Sequence, residues 1–253
     1  MRKLPVAVQV YSVRGEAEAD FAGTMKQLRA MGYDGVELAG LYGHSPEEIK
    51  AMLDETGLEA VGAHVSYSEW EKDAEATAKA YRTIGCSYVA IPYMTEEYRY
   101  GGSRYEEFLA AIPQIAAACR KQGMQLLYHN HTFEFEKTQD GRYHLDVLYD
   151  SQSPENLATE LDTCWVKVAG EDPAAYLEKY SMRCPLVHIK DFCRDGDVKL
   201  VAVGDGEQDV EAVVETAGRC GAKWLVVEQD DHPFGGPMEN MKKSIDYIKG
   251  IME

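Results

Sequence analysis

The sequence predicts an α/β chain folded as a single (β/α)8 barrel, one domain over residues 1–253, and three observations point there. Amphipathic helical stretches repeatedly end at a glycine that is followed within a few residues by a short apolar strand. Counting every such strand gives eight, nearly all followed by a helical stretch. The length, 253 residues, is the usual size of a closed barrel of eight strand–helix units.

The first strand is read over residues 6–11. The glycine unit then appears as Met31-Gly32-Tyr33-Asp34-Gly35-Val36-Glu37-Leu38 and as Thr56-Gly57-Leu58-Glu59-Ala60-Val61-Gly62-Ala63-His64. It returns at Ile84-Gly85 before residues 88–91, at Gln122-Gly123 before 125–129, and at Cys220-Gly221 before 224–228. Residues 157–161 and 186–190 supply the other two strands. A helix-to-strand alternation of this kind joins parallel strands through crossover helices. Among the helices, Met238, Met241, Ile245, Ile248 and Met252 form one apolar stripe, as do Phe108, Ile112, Ile115 and Cys119, and Phe21, Met25 and Leu28. Ser45-Pro46-Glu47-Glu48 is a capping box, and Asp172-Pro173 opens another helix. The segment 133–150 has the weakest helical pattern. An open doubly wound sheet is the rival, but residues 6–11 lead into Ser-Val-Arg-Gly-Glu instead of a G-x-G-x-x-G turn. Gly204-Asp205-Gly206 reads as loop glycine, and no linker divides the chain.

Twenty-six basic residues stand against 43 acidic ones, a formal charge of −17, which argues against a nucleic-acid partner. No apolar run approaches the roughly 20 residues of a membrane span, and residues 1–10 lack the apolar core of a signal peptide. Six scattered cysteines without a C-x-x-C pair read as reduced, buried small hydrophobes. A cytoplasmic protein is the expectation.

Chemistry in such a barrel gathers at the C-terminal ends of the strands, and those ends are polar here. They carry Gln9 and Tyr11, Glu37, His64, Tyr93, the run Tyr128-His129-Asn130-His131, Glu160-Leu161-Asp162, His188-Ile189-Lys190-Asp191, and Glu228. Alternation along a strand puts His129 with His131, and His188 with Lys190, on common faces. Facing inward, they converge with Asp162 and Glu228 over the barrel mouth. His129, Asp162, His188 and Glu228 are imidazole and carboxylate donors, a set suited to one divalent ion such as Mn²⁺, Co²⁺, Fe²⁺, Zn²⁺ or Mg²⁺.

These residues resemble the sugar phosphate isomerase/epimerase family, which has a xylose-isomerase-like TIM barrel. The resemblance spans nearly the whole chain. It rests on Val8-Gln9-Val10-Tyr11-Ser12-Val13-Arg14, Gly32-Tyr33-Asp34-Gly35-Val36-Glu37-Leu38 and Ala63-His64-Val65. It continues through Tyr128-His129-Asn130-His131-Thr132-Phe133-Glu134-Phe135, Leu161-Asp162-Thr163, His188-Ile189-Lys190-Asp191, the loop Gly204-Asp205-Gly206-Glu207-Gln208-Asp209-Val210, and Val226-Val227-Glu228. The resemblance implies a metal held by Glu, Asp, His and Glu from strands five to eight. The last three fall on Asp162, His188 and Glu228, whereas His129 stands where the family has the first glutamate. A symmetrical proton shuttle between two glutamates is therefore not available.

The implied activity is a metal-dependent isomerase or epimerase of a small sugar, keto-sugar or cyclitol, acting through an enolate-type intermediate. Glu228 is the candidate base, with His129 or His131 as its acid–base partner. Gln9, Glu37, His64 and Lys190 are candidate substrate contacts, and Tyr11, Tyr93 and Trp165 a candidate wall for a sugar ring. A lyase that expels a β-substituent is the close alternative, strengthened by the missing glutamate. A metal phosphodiesterase of the DNA-repair type shares the barrel but conflicts with the charge of −17. A binding protein that has lost catalysis is a third class. Family members are often dimers or tetramers, which admits a homo-oligomer, but the sequence does not fix the oligomeric state.

Overall fold

The computed structural model describes residues 3–253; residues 1 and 2, part of the stretch inspected for a signal peptide, lie outside the described residues. Among the described residues ten strands form: β1 (Val6–Gln9), β2 (Gly35–Ala39), β3 (Glu59–His64), β4 (Tyr88–Ile91), β5 (Gln125–His129), β6 (Ala158–Asp162), β7 (Leu186–Ile189), β8 (Asp191–Asp195), β9 (Asp197–Val201) and β10 (Trp224–Val227). Eight close into a parallel barrel in the order β1-β10-β7-β6-β5-β4-β3-β2. That is the expected architecture. The sequence reading did not contain β8 and β9, an antiparallel hairpin set outside the barrel between its seventh and eighth strands. Polar alternation over residues 191–201 leaves little apolar signal for a strand there.

Several strands stop short of the residues expected to end them. The first ends at Gln9, so Tyr11 sits in a 3-10 turn over Val10–Val13, and β10 ends at Val227, just before Glu228. The weakly patterned segment after β5 holds a 3-10 turn, Phe133–Phe135, and the short helix His144–Asp150. The capping box is present: Glu48 N donates to Ser45 Oγ at 3.3 Å, and Ser45 N to Glu48 Oε2 at 2.8 Å. In the C-terminal helix, Pro237–Ile251, Met241, Ile245 and Ile248 are buried against the barrel, as their spacing predicted. No helix among the described residues is long and apolar enough to cross a membrane.

The barrel interior decides where the chemistry falls. Ala7, Val61, Ala90, Leu127, Ala158, Leu186 and Val226 form an apolar plug, the larger of them stabilising the fold by about 1.5–3 kcal/mol each. Because side chains alternate, the residue two positions on also faces inward. From Ala7, Leu127, Ala158, Leu186 and Val226 that step gives Gln9, His129, Glu160, His188 and Glu228, and one further step gives Asp162 and Lys190. A polar layer thus rests directly on the plug.

The loop after β9 is pinned at Gly204, whose φ is +96°. A Cβ there would lie 2.4 Å from the Tyr247 ring. Gly204→Ala therefore combines left-handed strain with a clash, and should cost about 1–3 kcal/mol. The expected result is a Tm lowered by at least about 2 °C in a thermal melt; an unchanged Tm would contradict this packing.

Candidate metal centre at the barrel mouth

Local structure fixes each donor. Asp162 ends β6 and caps the following helix, Thr163–Val168: its Oδ1 accepts from Cys164 N at 3.0 Å and Trp165 N at 3.1 Å. One oxygen is thereby committed and Oδ2 is left facing the centre. Asn130 holds this strand end from the side. It accepts from Asp162 N at 2.9 Å and donates to Asp162 O at 3.2 Å.

The structure brings the four expected metal donors together. One ligand atom from each of His129, Asp162, His188 and Glu228 lies within 4.8 Å of the others, and all four residues are buried. His129 Nε2 is 3.6 Å from Asp162 Oδ2, and His188 Nδ1 is 2.8 Å from Glu228 Oε2. A second group shares the two histidines and adds His64 and Glu160 one layer deeper. There Glu160 Oε1 meets His64 Nε2 at 2.6 Å, His129 Nδ1 at 3.1 Å and His188 Nε2 at 3.2 Å. His188 Nε2 is also 2.8 Å from Glu37 Oε2. Both rim histidines therefore rest their second ring nitrogen on a buried carboxylate, the arrangement that orients metal-binding imidazoles. Asp162 Oδ2, Glu160 Oε2 and Glu37 Oε1 are buried without an aligned hydrogen-bond donor. With two imidazoles and two carboxylates converging, the set fits a divalent ion.

The charges are strongly perturbed. Burial opposes ionisation of Glu228, but Lys190 and His188 beside it hold its carboxyl well below the usual range. Burial likewise opposes charge on His188, yet Glu160 and Glu37 raise it well above an ordinary histidine. Burial, with His188 adding to it, keeps His129 neutral, well below its usual value. Burial and Lys190 push His131 down to about 3. Glu37 is pushed up to about 7 by burial and by Glu160. Lys190 stays charged against its burial, held by Asp162, Glu228 and Asp230.

The candidate substrate residues do not all reach the cavity. A space of about 570 Å³ opens at the mouth, and His64, His129, His131, Glu228, Tyr11 and Tyr93 are among the residues lining it. Gln9 and Glu37 lie beneath, paired at 2.8 Å (Gln9 Nε2 to Glu37 Oε2), and neither lines the cavity. Each stands two residues before one that does line it, Tyr11 and Ala39 respectively. Lys190 is 1% exposed, with Nζ 3.0 Å from Asp162, 2.9 Å from Glu228 and 3.0 Å from Asp230. Trp165 stands behind His131, ring centroids 6.1 Å apart, and is not among the lining residues.

Two members of the site escaped the sequence reading. Glu160 was passed over as the penultimate acid of a strand end, although Asp162 facing inward implies the same of Glu160. Asp230 lies one alternation step after Glu228, as Lys190 does after His188, but past the end of β10.

The model of the family described as xylose isomerase-like TIM barrel matches residues 25–251, and the chain belongs to that family. An inosose dehydratase from Lacticaseibacillus casei is 22% identical, over 93% of this chain and 91% of that protein. A solved structure of a sugar phosphate isomerase/epimerase from Parabacteroides distasonis superposes with a TM-score of 0.83 at 23% identity, covering 98% of both chains. A probable 3-DHS dehydratase from Bacillus anthracis gives 0.76 at 13% identity, over 97% of this chain and 99% of that one.

Lys190→Met removes the ammonium from among three carboxylates. In the presence of a chelator this should cost about 3–5 kcal/mol in urea unfolding, because buried charges are left unpaired. Adding Mn²⁺ should recover part of the loss. A variant as stable as the parent would show that the carboxylates do not depend on Lys190.

Proposed function

We propose that the chain is a metal-dependent enzyme that removes the proton next to the ketone of a keto-sugar or ketocyclitol and eliminates a β-hydroxyl. One observation carries this reading. Of the four rim donors, Glu228 is the one carboxylate that lines the cavity, and its neighbours hold it ionised.

His129 Nε2, Asp162 Oδ2, His188 Nδ1 and Glu228 would hold the ion, and Glu160 and Glu37 would fix the two imidazoles. When bound, the ion supplies a Lewis acid that polarises the carbonyl. Glu228 takes the proton from carbon and can return it to the departing hydroxyl on the same face. Elimination needs no second base. Epimerisation does, on the opposite face, and the residue at the family's glutamate position is unsuited to it. His129 is 1% exposed, with its Nδ1 against Glu160 and its Nε2 toward Asp162. The tyrosines at the mouth would wall the ring, and His64 and His131 would contact its oxygens. The names of the similar proteins, inosose dehydratase and 3-DHS dehydratase, support a reaction of this class.

Isomerisation or epimerisation is the second reading. It is favoured by His131, a neutral imidazole on the same cavity whose buried Nδ1 has no partner. It would serve as the second proton carrier in place of His129.

Incubation of the metal-loaded protein with ketocyclitols and ketohexoses in D2O separates the two. Elimination yields a product lighter by one water; epimerisation keeps the formula and leaves deuterium on carbon. Glu228→Gln should lower either rate by at least about 10²-fold, the contribution of a positioned base. Unchanged turnover would remove Glu228 from the mechanism. Glu160→Gln should weaken Mn²⁺ binding about 10–100-fold in calorimetry with the fold intact, as loss of a ligand-orienting partner does.

A further inference from the structure

Barrels of this kind commonly hold a substrate phosphate on backbone amides of the loops after the seventh and eighth strands. In the connection after the seventh strand of this barrel, four such amides are already taken. The Asp191 carboxylate, 1% exposed, accepts from Phe192 N at 2.9 Å and from Gly204 N, Gly206 N and Gln208 N at 3.0 Å each. Gly206 packs so tightly on it that a Cβ would lie 2.2 Å from Asp191 Oδ1. A ready-made anion nest has been filled by the chain's own anion.

No lysine or arginine is placed to replace it. Among the described residues, none lining the mouth cavity is Arg or Lys, while Glu69, Glu228 and Asp230 all line it. Arg14 donates to Tyr11 O and Asp230 O at 2.9 Å and lies over the Tyr11 ring. Arg99 donates to Met94 O at 2.8 Å and to Tyr93 Oη at 2.6 Å, and stacks on Phe133 at 3.6 Å. Lys190 is enclosed by three carboxylates. A divalent ion at the rim does not change the balance: its two charges and that of Lys190 meet the three of Asp162, Glu228 and Asp230.

Resting on the reaction class proposed above, we infer that the mouth selects an uncharged polyhydroxylated ketone and rejects phosphate esters and carboxylates. A phosphate or carboxylate would find no lysine or arginine on the cavity wall to pair with and Glu69 at its edge, and such like-charge juxtaposition is disfavoured.

The test is a binding titration of the Mn²⁺-loaded protein by calorimetry. It uses a ketocyclitol, a ketohexose, the 6-phosphate of that ketohexose, and a hexuronate. The expected result is an uncharged ketone bound at least about tenfold more tightly than the ester and the uronate. Glu69→Lys should narrow the gap between ketohexose and ester by about threefold or more, because it puts a free cation at the cavity edge. An ester or uronate that binds as tightly as the ketones overturns the inference, as does failure of every uncharged ketone to bind. Binding is read independently of turnover. Absence of proton exchange with a bound ketone would therefore sink the proposed reaction while leaving the charge selection standing.

Discussion

Inside the upper half of the barrel, Glu37, Glu160, Asp162 and Glu228 are withdrawn from water within a few ångströms of one another, and like charges do not survive such burial without positive groups set among them. The fold supplies these in two tiers. Below, His64 and His188 lie between Glu37 and Glu160; above, Lys190 lies between Asp162, Glu228 and Asp230. Each tier is set by strand alternation above the apolar plug, so the electrostatics and the packing are one constraint. The rim donors stay close because the tier beneath them is neutralised.

The same constraint explains what the sequence could and could not tell. Barrel topology followed from repeated local signals, each legible alone: a helix stripe, a terminal glycine, a short apolar strand. The rim donors were legible because His129, Asp162, His188 and Glu228 all stand at strand ends. The lower tier was harder, since Glu37 and Gln9 look like mouth residues until the height of each strand above the plug is known. In the fold they pair with each other, and Glu37 also meets His188. Lys190 reads in one dimension as a substrate contact, and only in three is it seen enclosed by three acids from two strand ends. Asp191 offered no clue at all. Its partners come from residues 204–208 across a hairpin that the sequence did not reveal.

His129 shows how one replacement within a family's pattern redirects a site. An imidazole can keep the coordination number of the glutamate it stands for, but it brings no negative charge, and here its Nδ1 is held by Glu160. The rim therefore loses one potential base while keeping a complete donor set. Together with Lys190, the site carries less negative charge than the family's arrangement would. The proposed reaction then rests on Glu228, with the neutral His131 lining the same cavity.

Asn130 gives the donors on β5 and β6 a shared mechanical fate. By clasping both the amide and the carbonyl of Asp162, it ties the loop leaving His129 to the strand end that carries the next ligand. Any sliding of one strand end past the other would have to break both of these hydrogen bonds together.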